Sequence, residues 1–217
     1  LEILVMNDYV TDDEQVERIK KWWSDNGNSV IAGLVIGVGG LFGWRYWVDY
    51  NARIAAEASS HFTVMTQSLE MGQHSEAINE ANLILDEYSS SAYANLARLA
   101  LAKAFIEQGD FVKAEQQFKL LISSKPEQSI EMLTRKRLSM VLMQQDKLNE
   151  ALSELEVDYP KEFTAAFEEL KGDILARQGN EANAKAAYQR ARLAQPPVAN
   201  PEFLQQKLEN LSSTKTG

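Results

Sequence analysis

The chain has no cysteine, so it forms no disulfide and no thiolate metal site. It has two histidines, His61 and His74, and neither stands at a metal-ligand spacing from a second histidine or a paired carboxylate. The P-loop, G-x-G-x-x-G and G-x-S-x-G patterns are also missing from the sequence. We therefore expect no cofactor, no metal and no small-molecule substrate, and a protein that is not an enzyme.

Basic charge is scarce as well. The chain has 22 Lys and Arg against 31 Asp and Glu, for a net charge of −9, so a large basic surface for nucleic acid is not expected. Strand-like alternation is missing over residues 52–211, where apolar residues recur at helical spacing between turn residues. The pattern predicts an all-α fold, with one transmembrane helix and one helical domain.

Charge is missing altogether from residues 30–44. Extended as a helix over residues 27–48, this run measures about 33 Å, enough to cross a hydrocarbon core of about 30 Å. Aromatic side chains flank it on both sides, as expected at the two headgroup layers: Trp22, Trp23, Trp44, Tyr46, Trp47 and Tyr50. The sequence predicts a transmembrane helix over residues 29–48, after an N-terminal segment of residues 1–28.

A secretory signal peptide is the main alternative to a membrane anchor. Arg18, Lys20 and Lys21 would form its positive region, but residues 43–47 contain no small-x-small cleavage pattern. We therefore predict an uncleaved anchor. Three basic residues before the span against two after it, Arg45 and Arg53, favour a cytoplasmic N-terminus and a domain outside the cytoplasm.

Glycines within the span share one side of the predicted helix. At 100° per residue they fall within an arc of about 160°: Gly33, Gly37, Gly39, Gly40 and Gly43. Two G-x-x-x-G pairs lie on this arc, and small residues let a second membrane helix approach closely. We predict a packing face here; the alternative is that glycine is simply common in membrane helices.

The domain shows an internal repeat. Ala77, Ala114, Ala151 and Ala184 each follow a turn by a similar distance and are separated by 37, 37 and 33 residues, near the 34-residue period of tetratricopeptide repeats. Four helix pairs over residues 52–211 are predicted, the second and fourth more regular than the first and third. The last helix covers about 201–211, and residues 212–217 form a frayed tail. The alternative is an irregular helical bundle with chance glycines.

The first helix of each tetratricopeptide repeat lines the inner surface of the stack. At the corresponding positions the alignment gives candidate groove residues: Phe62, Leu69, Leu96, Leu99, Lys103, Ile106, Leu133, Lys136, Met140, Met143, Glu169 and Asp173. The apolar part, with its methionines, would suit varied partners. The competing interpretation is that a neighbouring helix or the C-terminal helix buries several of these apolar residues.

The whole chain resembles a known family, most specifically over residues 14–47. The sequence EQVERIKKWWSDNG, the glycine-spaced span, GWRYW and the degenerate repeats are similar to the YfgM family of ancillary SecYEG translocon subunits. The resemblance implies a bacterial single-pass inner-membrane protein with a periplasmic repeat domain. Its implied partners are the SecYEG translocon, a PpiD-type periplasmic chaperone and exported client proteins passed on to chaperones. The alternative is a structural scaffold that tethers another envelope complex without handling clients.

Overall fold

The computed structural model describes residues 12–213, and these residues form helices joined by short turns. The α-helices are α1 Asp12–Glu70, α2 His74–Glu87, α3 Ala92–Glu107, α4 Phe111–Ser123, α5 Gln128–Gln144, α6 Leu148–Ser153, α7 Thr164–Arg177, α8 Glu181–Leu193 and α9 Pro201–Ser213. A single 3-10 turn, Lys161–Phe163, precedes α7. No β-strand occurs within the described range. The predicted all-α class is confirmed.

Helix α1 contains the predicted span. It runs for 59 residues, because Asp12–Glu70 includes no proline and the five glycines within residues 33–43 lie among strongly apolar neighbours. It is long and apolar enough to cross a membrane, and 6% of its most apolar window is buried, whereas the core helix of a soluble protein would be mostly buried. Residues 1–11 of the predicted N-terminal segment lie outside the described range.

The chain divides into two compact units, Leu1–Arg53 and Ile54–Gly217. In the second unit consecutive helices pack on one another, α2 on α3, α3 on α4, α4 on α5 and α7 on α8. The end of α1 joins this stack through Met65, which is fully buried in the same core cluster as Ala77 and Ala81. Helix α9 packs on α8. It includes residues 212–213 of the predicted tail, while residues 214–217 are not described.

Within each of the four helix pairs, the same kind of turn joins the first helix to the second. Its central residue has a positive φ: Gly72 at 71°, Gly109 at 77°, Asp146 at 61° and Gly179 at 76°. In each turn this residue donates its N–H to the carbonyl three residues back, and the next residue donates to the carbonyl five residues back. That pair of hydrogen bonds is the Schellman motif, for which glycine is preferred and aspartate tolerated.

The predicted alanine register is visible in the core. Ala77, Ala114, Ala151 and Ala184 are all fully buried, so each second helix can approach its first helix closely. In the fourth pair Gly172 makes the approach closer still, because an added Cβ would overlap the ring of Tyr188. The spacing of the small residues therefore follows from the packing distance between paired helices.

The third pair departs most from the repeat. Its second helix, α6, has six residues, and the chain then runs irregularly to Pro160 before the 3-10 turn. Leu155 is fully buried, and the ring of Tyr159 packs on Phe167 with centroids 4.6 Å apart. Side chains from an irregular segment thus replace the missing helical turns.

Candidate binding groove

An apolar groove of about 640 Å³ lies between α3 and α5. Seven of the predicted groove residues line it: Phe62, Leu96, Leu99, Lys103, Ile106, Leu133 and Met140. Phe62 comes from the end of α1, and the ring of Phe62 packs on Tyr93 with centroids 5.6 Å apart. The structure therefore brings together the first helices of three successive pairs.

Helix periodicity places these side chains in the groove. One stripe of α3 lines the groove: Leu99, Lys103 and Ile106 follow Leu96 by three, seven and ten residues, which is the spacing of one helix face. The opposite stripe of α3 is core, since Ala97, Leu101 and Ala104 are buried. Helix α3 is thus apolar on both faces, and its groove face keeps Leu96 40% exposed.

Six further residues line the groove that the sequence pattern did not identify: Ala100, Phe111, Phe118, Arg137, Val141 and Gln144. Phe118 is nearly fully buried and forms part of the floor. In the sequence it stands four residues after Ala114, as Tyr188 stands four residues after Ala184, so the repeat spacing carried a signal for it. Phe111 opens α4, where nothing in the spacing distinguished it.

At two of the four predicted positions on α5, the residue that lines the groove is the one after the predicted residue. Arg137, rather than Lys136, lines the groove together with Leu133, Met140 and Gln144. Lys136 and Met143 are half-buried and do not line it. Met143 instead packs against the core, because the groove face of α5 includes the next residue, Gln144, about 100° further around the helix. Leu69 near the end of α1 is likewise packed against the core rather than lining the groove.

Glu169 and Asp173 lie at the other end of the predicted surface, where α9 contacts them. Lys207 of α9 places its Nζ 2.9 Å from Glu169 and 2.7 Å from Asp173. The hydroxyl of Tyr188 donates to Asp173 over 2.7 Å. These carboxylates are therefore paired within the domain and do not line the groove. The competing interpretation concerned apolar candidates, and it applies to Leu69 and Met143, which pack against the core.

Burial and pairing shift two pKa values at this contact. Burial would lower the pKa of Lys207, but its bonds to Asp173 and Glu169 outweigh burial and raise the pKa. Burial and the Asp173 hydrogen bond both raise the pKa of Tyr188. Both groups therefore keep their protons at neutral pH, and the Lys207 contact stays charged.

A buried carboxylate fixes α4, which contributes Phe111 and Phe118, to the turn that follows α5. Glu115 is 7% exposed and accepts from Lys119 at 2.6 Å, Lys147 at 2.8 Å and Gln145 at 2.8 Å. Burial raises the pKa of Glu115, but these three donors together lower it to about 2. The cluster thereby holds α4 and the C-terminal end of α5, which both line the groove, in one arrangement.

The other candidate positions lie elsewhere. The five span glycines in α1 have open space beyond them, since a Cβ on Gly33, Gly37, Gly39, Gly40 or Gly43 would meet no atom within 4 Å; their packing role stays a prediction. His61 bonds Glu80 at 2.7 Å. Across residues 12–213 no group of three His, Asp or Glu side chains is arranged to hold a metal ion.

The stacked helix pairs, their repeated turns and the inner groove define a tetratricopeptide-type repeat protein. The chain belongs to the tetratricopeptide repeat-like domain family, whose model matches residues 20–213. Its fold is similar to MamA from Desulfovibrio magneticus, with 16% identity, 73% of this chain and 91% of that chain covered, and a TM-score of 0.55. A tetratricopeptide repeat protein from Parabacteroides merdae is 19% identical over 71% of this chain and 57% of its own, with a TM-score of 0.50.

Relatives similar over nearly the whole chain share one name. The "Ancillary SecYEG translocon subunit" of Haemophilus influenzae is 29% identical over 93% of this chain and 98% of its own length. The protein of the same name from Escherichia coli is 27% identical over 95% of this chain and 100% of its own. The resemblance drawn from the sequence is thereby confirmed.

Proposed function

We propose that this protein is a single-pass inner-membrane adaptor that associates with the SecYEG translocon. The observation that carries the proposal is the extent of the similarity: relatives named as ancillary translocon subunits match 93% and 95% of this chain, anchor included. A protein that shared only a repeat domain with them would match over the repeats alone. The exposed apolar window of α1 supports the anchor.

The repeat domain supplies the contact surface. A groove of about 640 Å³ lined mainly by apolar side chains is a surface for protein segments rather than for catalysis. We infer that it engages a PpiD-type chaperone or newly exported proteins, which the adaptor passes to periplasmic chaperones. This role requires the domain to lie in the periplasm, as the basic residues before the span favour.

Co-purification tests the association. The intact protein, solubilised in mild detergent, should bring down translocon subunits together with a PpiD-type chaperone. Recovery of other envelope proteins without any translocon subunit would overturn the proposal in favour of a structural scaffold. An unrelated single-pass anchor carrying the same tag controls for capture through detergent alone.

Protease access tests the orientation. In spheroplasts an added protease should remove the repeat domain while a cytosolic control protein stays intact. If the repeat domain is protected and becomes sensitive only after lysis, the domain is cytoplasmic and transfer of exported proteins is excluded.

The glycine face of α1 has its own test within this proposal. Gly37→Leu with Gly40→Leu fills the open side of the span and should reduce recovery of translocon subunits without blocking membrane insertion. Leu34→Phe with Leu41→Phe adds bulk to the other, already apolar side and is the control. Equal recovery from both variants would mean that the glycines form no packing face.

A further inference from the structure

The groove between α3 and α5 carries charge of one sign. Its charged lining residues, within the described part of the chain, are Lys103 and Arg137, and no carboxylate lines it. The whole chain has a net charge of −9, so an exclusively basic lining departs from the average surface. An occupant with carboxylates would be complementary to it.

Both cations are accessible. The side chain of Lys103 is 71% exposed, and its pair with Glu107, at 3.6 Å, is exposed as well, so this pair contributes little. Arg137 is exposed and makes no ion pair or side-chain hydrogen bond to any residue within 12–213. Neither cation is therefore committed to holding the domain together.

The groove has the length of a short helix. Its α3 wall runs from Leu96 to Ile106, a rise of about 15 Å at 1.5 Å per residue. Its α5 wall runs from Leu133 to Gln144, a rise of about 16 Å. Two to three turns of an amphipathic helix have this length, with apolar anchors on one face.

The cations stand on opposite walls, Lys103 on α3 and Arg137 on α5. Exposed apolar side chains lie along the same walls, with Leu96 40%, Leu133 37% and Met140 48% exposed. An amphipathic helix carries polar side chains on both sides of its apolar stripe. A fatty acid carries one anionic group at one end, so two cations on two walls match the helix better.

We propose that the groove binds an amphipathic helical segment of a partner protein whose Asp or Glu side chains flank the apolar stripe and pair with Lys103 and Arg137. The inference deepens the proposed function and rests on it: the partner segment is apolar and acidic. The apolar contacts supply most of the affinity, and the two charge pairs select acidic over neutral or basic segments.

Peptide titration tests this selection. The probe is a fluorescent alanine-rich helix of about 15 residues, with leucines at i, i+4 and i+7 and a Glu on each side of that stripe. A second peptide has Gln at both Glu positions, and a third has Lys. The full chain in a zwitterionic lipid nanodisc should bind the Glu peptide at least about tenfold more tightly than the Gln peptide, and the difference should shrink at high salt.

Charge reversal supplies the decisive variant. Lys103→Glu with Arg137→Glu should weaken binding of the Glu peptide and improve binding of the Lys peptide. The matched control is Lys185→Glu with Arg192→Glu, which reverses one lysine and one arginine exposed on α8. This control has the same net charge as the groove variant and should bind like the unchanged protein.

Four results would overturn the inference. Equal affinity for the Glu and Gln peptides would mean that the groove does not select peptides by charge. An equal loss of affinity for the Glu peptide in both double variants would mean the same. Binding of a fluorescent fatty acid, with no binding of any peptide, would assign the groove to an acyl chain. Self-association of the full chain that Lys103→Glu abolishes would assign it to a second copy. None of these results affects co-purification with the translocon, which tests the proposed function separately.

Discussion

The inner surface of the repeat stack differs between its middle and its C-terminal end. Between α3 and α5 the surface is an open groove, in which neither Lys103 nor Arg137 forms a strong ion pair with the described residues. At α7 the equivalent positions, Glu169 and Asp173, are paired with Lys207 of α9. The same repeat position therefore serves as an accessible surface in one place and as a contact within the domain in the other.

The largest effect should follow from disturbing the covered end. Gly172→Leu places a side chain where Tyr188 packs, and relief requires α8 to move away from α7. We expect the free energy of unfolding to fall by about 3 kcal/mol, measured by urea unfolding of the repeat domain signal in circular dichroism. Ala182→Leu, on the exposed face of α8, is the control and should change it by less than about 0.5 kcal/mol.

The second prediction concerns the free energy of unfolding in acid, which should depend on the buried carboxylate of Glu115 in α4. The pKa of Glu115 is about 2 in the folded protein against an ordinary 4.5. Its stabilisation is therefore present above about pH 4.5 and is lost as the pH falls through the interval toward 2. We expect Glu115→Gln to cost about 3 kcal/mol at pH 7 and the two proteins to converge by pH 2.

Unfolding of both proteins between pH 7 and pH 2 measures this convergence. Glu156→Gln removes an exposed carboxylate and should show no such pH dependence. A constant difference between the Glu115→Gln variant and the unchanged protein at every pH would contradict the role given to the Lys119, Lys147 and Gln145 donors.

Lys207 and Lys103 allow a direct comparison of the C-terminal end of the inner surface with the open groove. Lys207 has a side chain 17% exposed between two carboxylates, so Lys207→Met should cost about 2 kcal/mol, since the Glu169 and Asp173 carboxylates would lose their cation. Lys103→Met, on the open groove, should change stability by less than about 0.5 kcal/mol. Thermal unfolding of the two variants side by side would show whether the ends differ, and equal losses would remove the distinction.

The sequence predicted the repeated framework because that framework follows from local requirements. The positive φ of the turn residues Gly72, Gly109 and Gly179 favours glycine, and a buried alanine five residues later sets the distance between the paired helices. Such requirements fix residue types at fixed spacing. The register of four helix pairs was therefore visible without coordinates.

The accessible part of the inner surface was less predictable, because tertiary packing decides it. Nothing local distinguishes Glu169 from a groove residue; its pairing depends on where α9 places Lys207, 38 residues later in the chain. Arg137 replaces Lys136 because the lining of α5 follows residues 133, 137, 140 and 144, a helical stripe that shares Leu133 and Met140 with the predicted one. Both errors concern orientation between helices, which a spacing pattern does not contain.

The central claim is that the groove between α3 and α5 is the surface that meets partner proteins. Site-specific photocrosslinking in intact cells tests it most directly, with p-benzoylphenylalanine at Leu96 in the groove and at Leu120 on the outer side of α4. The two residues are 40% and 49% exposed, so their accessibility is matched. We predict a discrete crosslinked partner from Leu96 and none from Leu120; crosslinks from Leu120 alone, or from neither position, would contradict the claim.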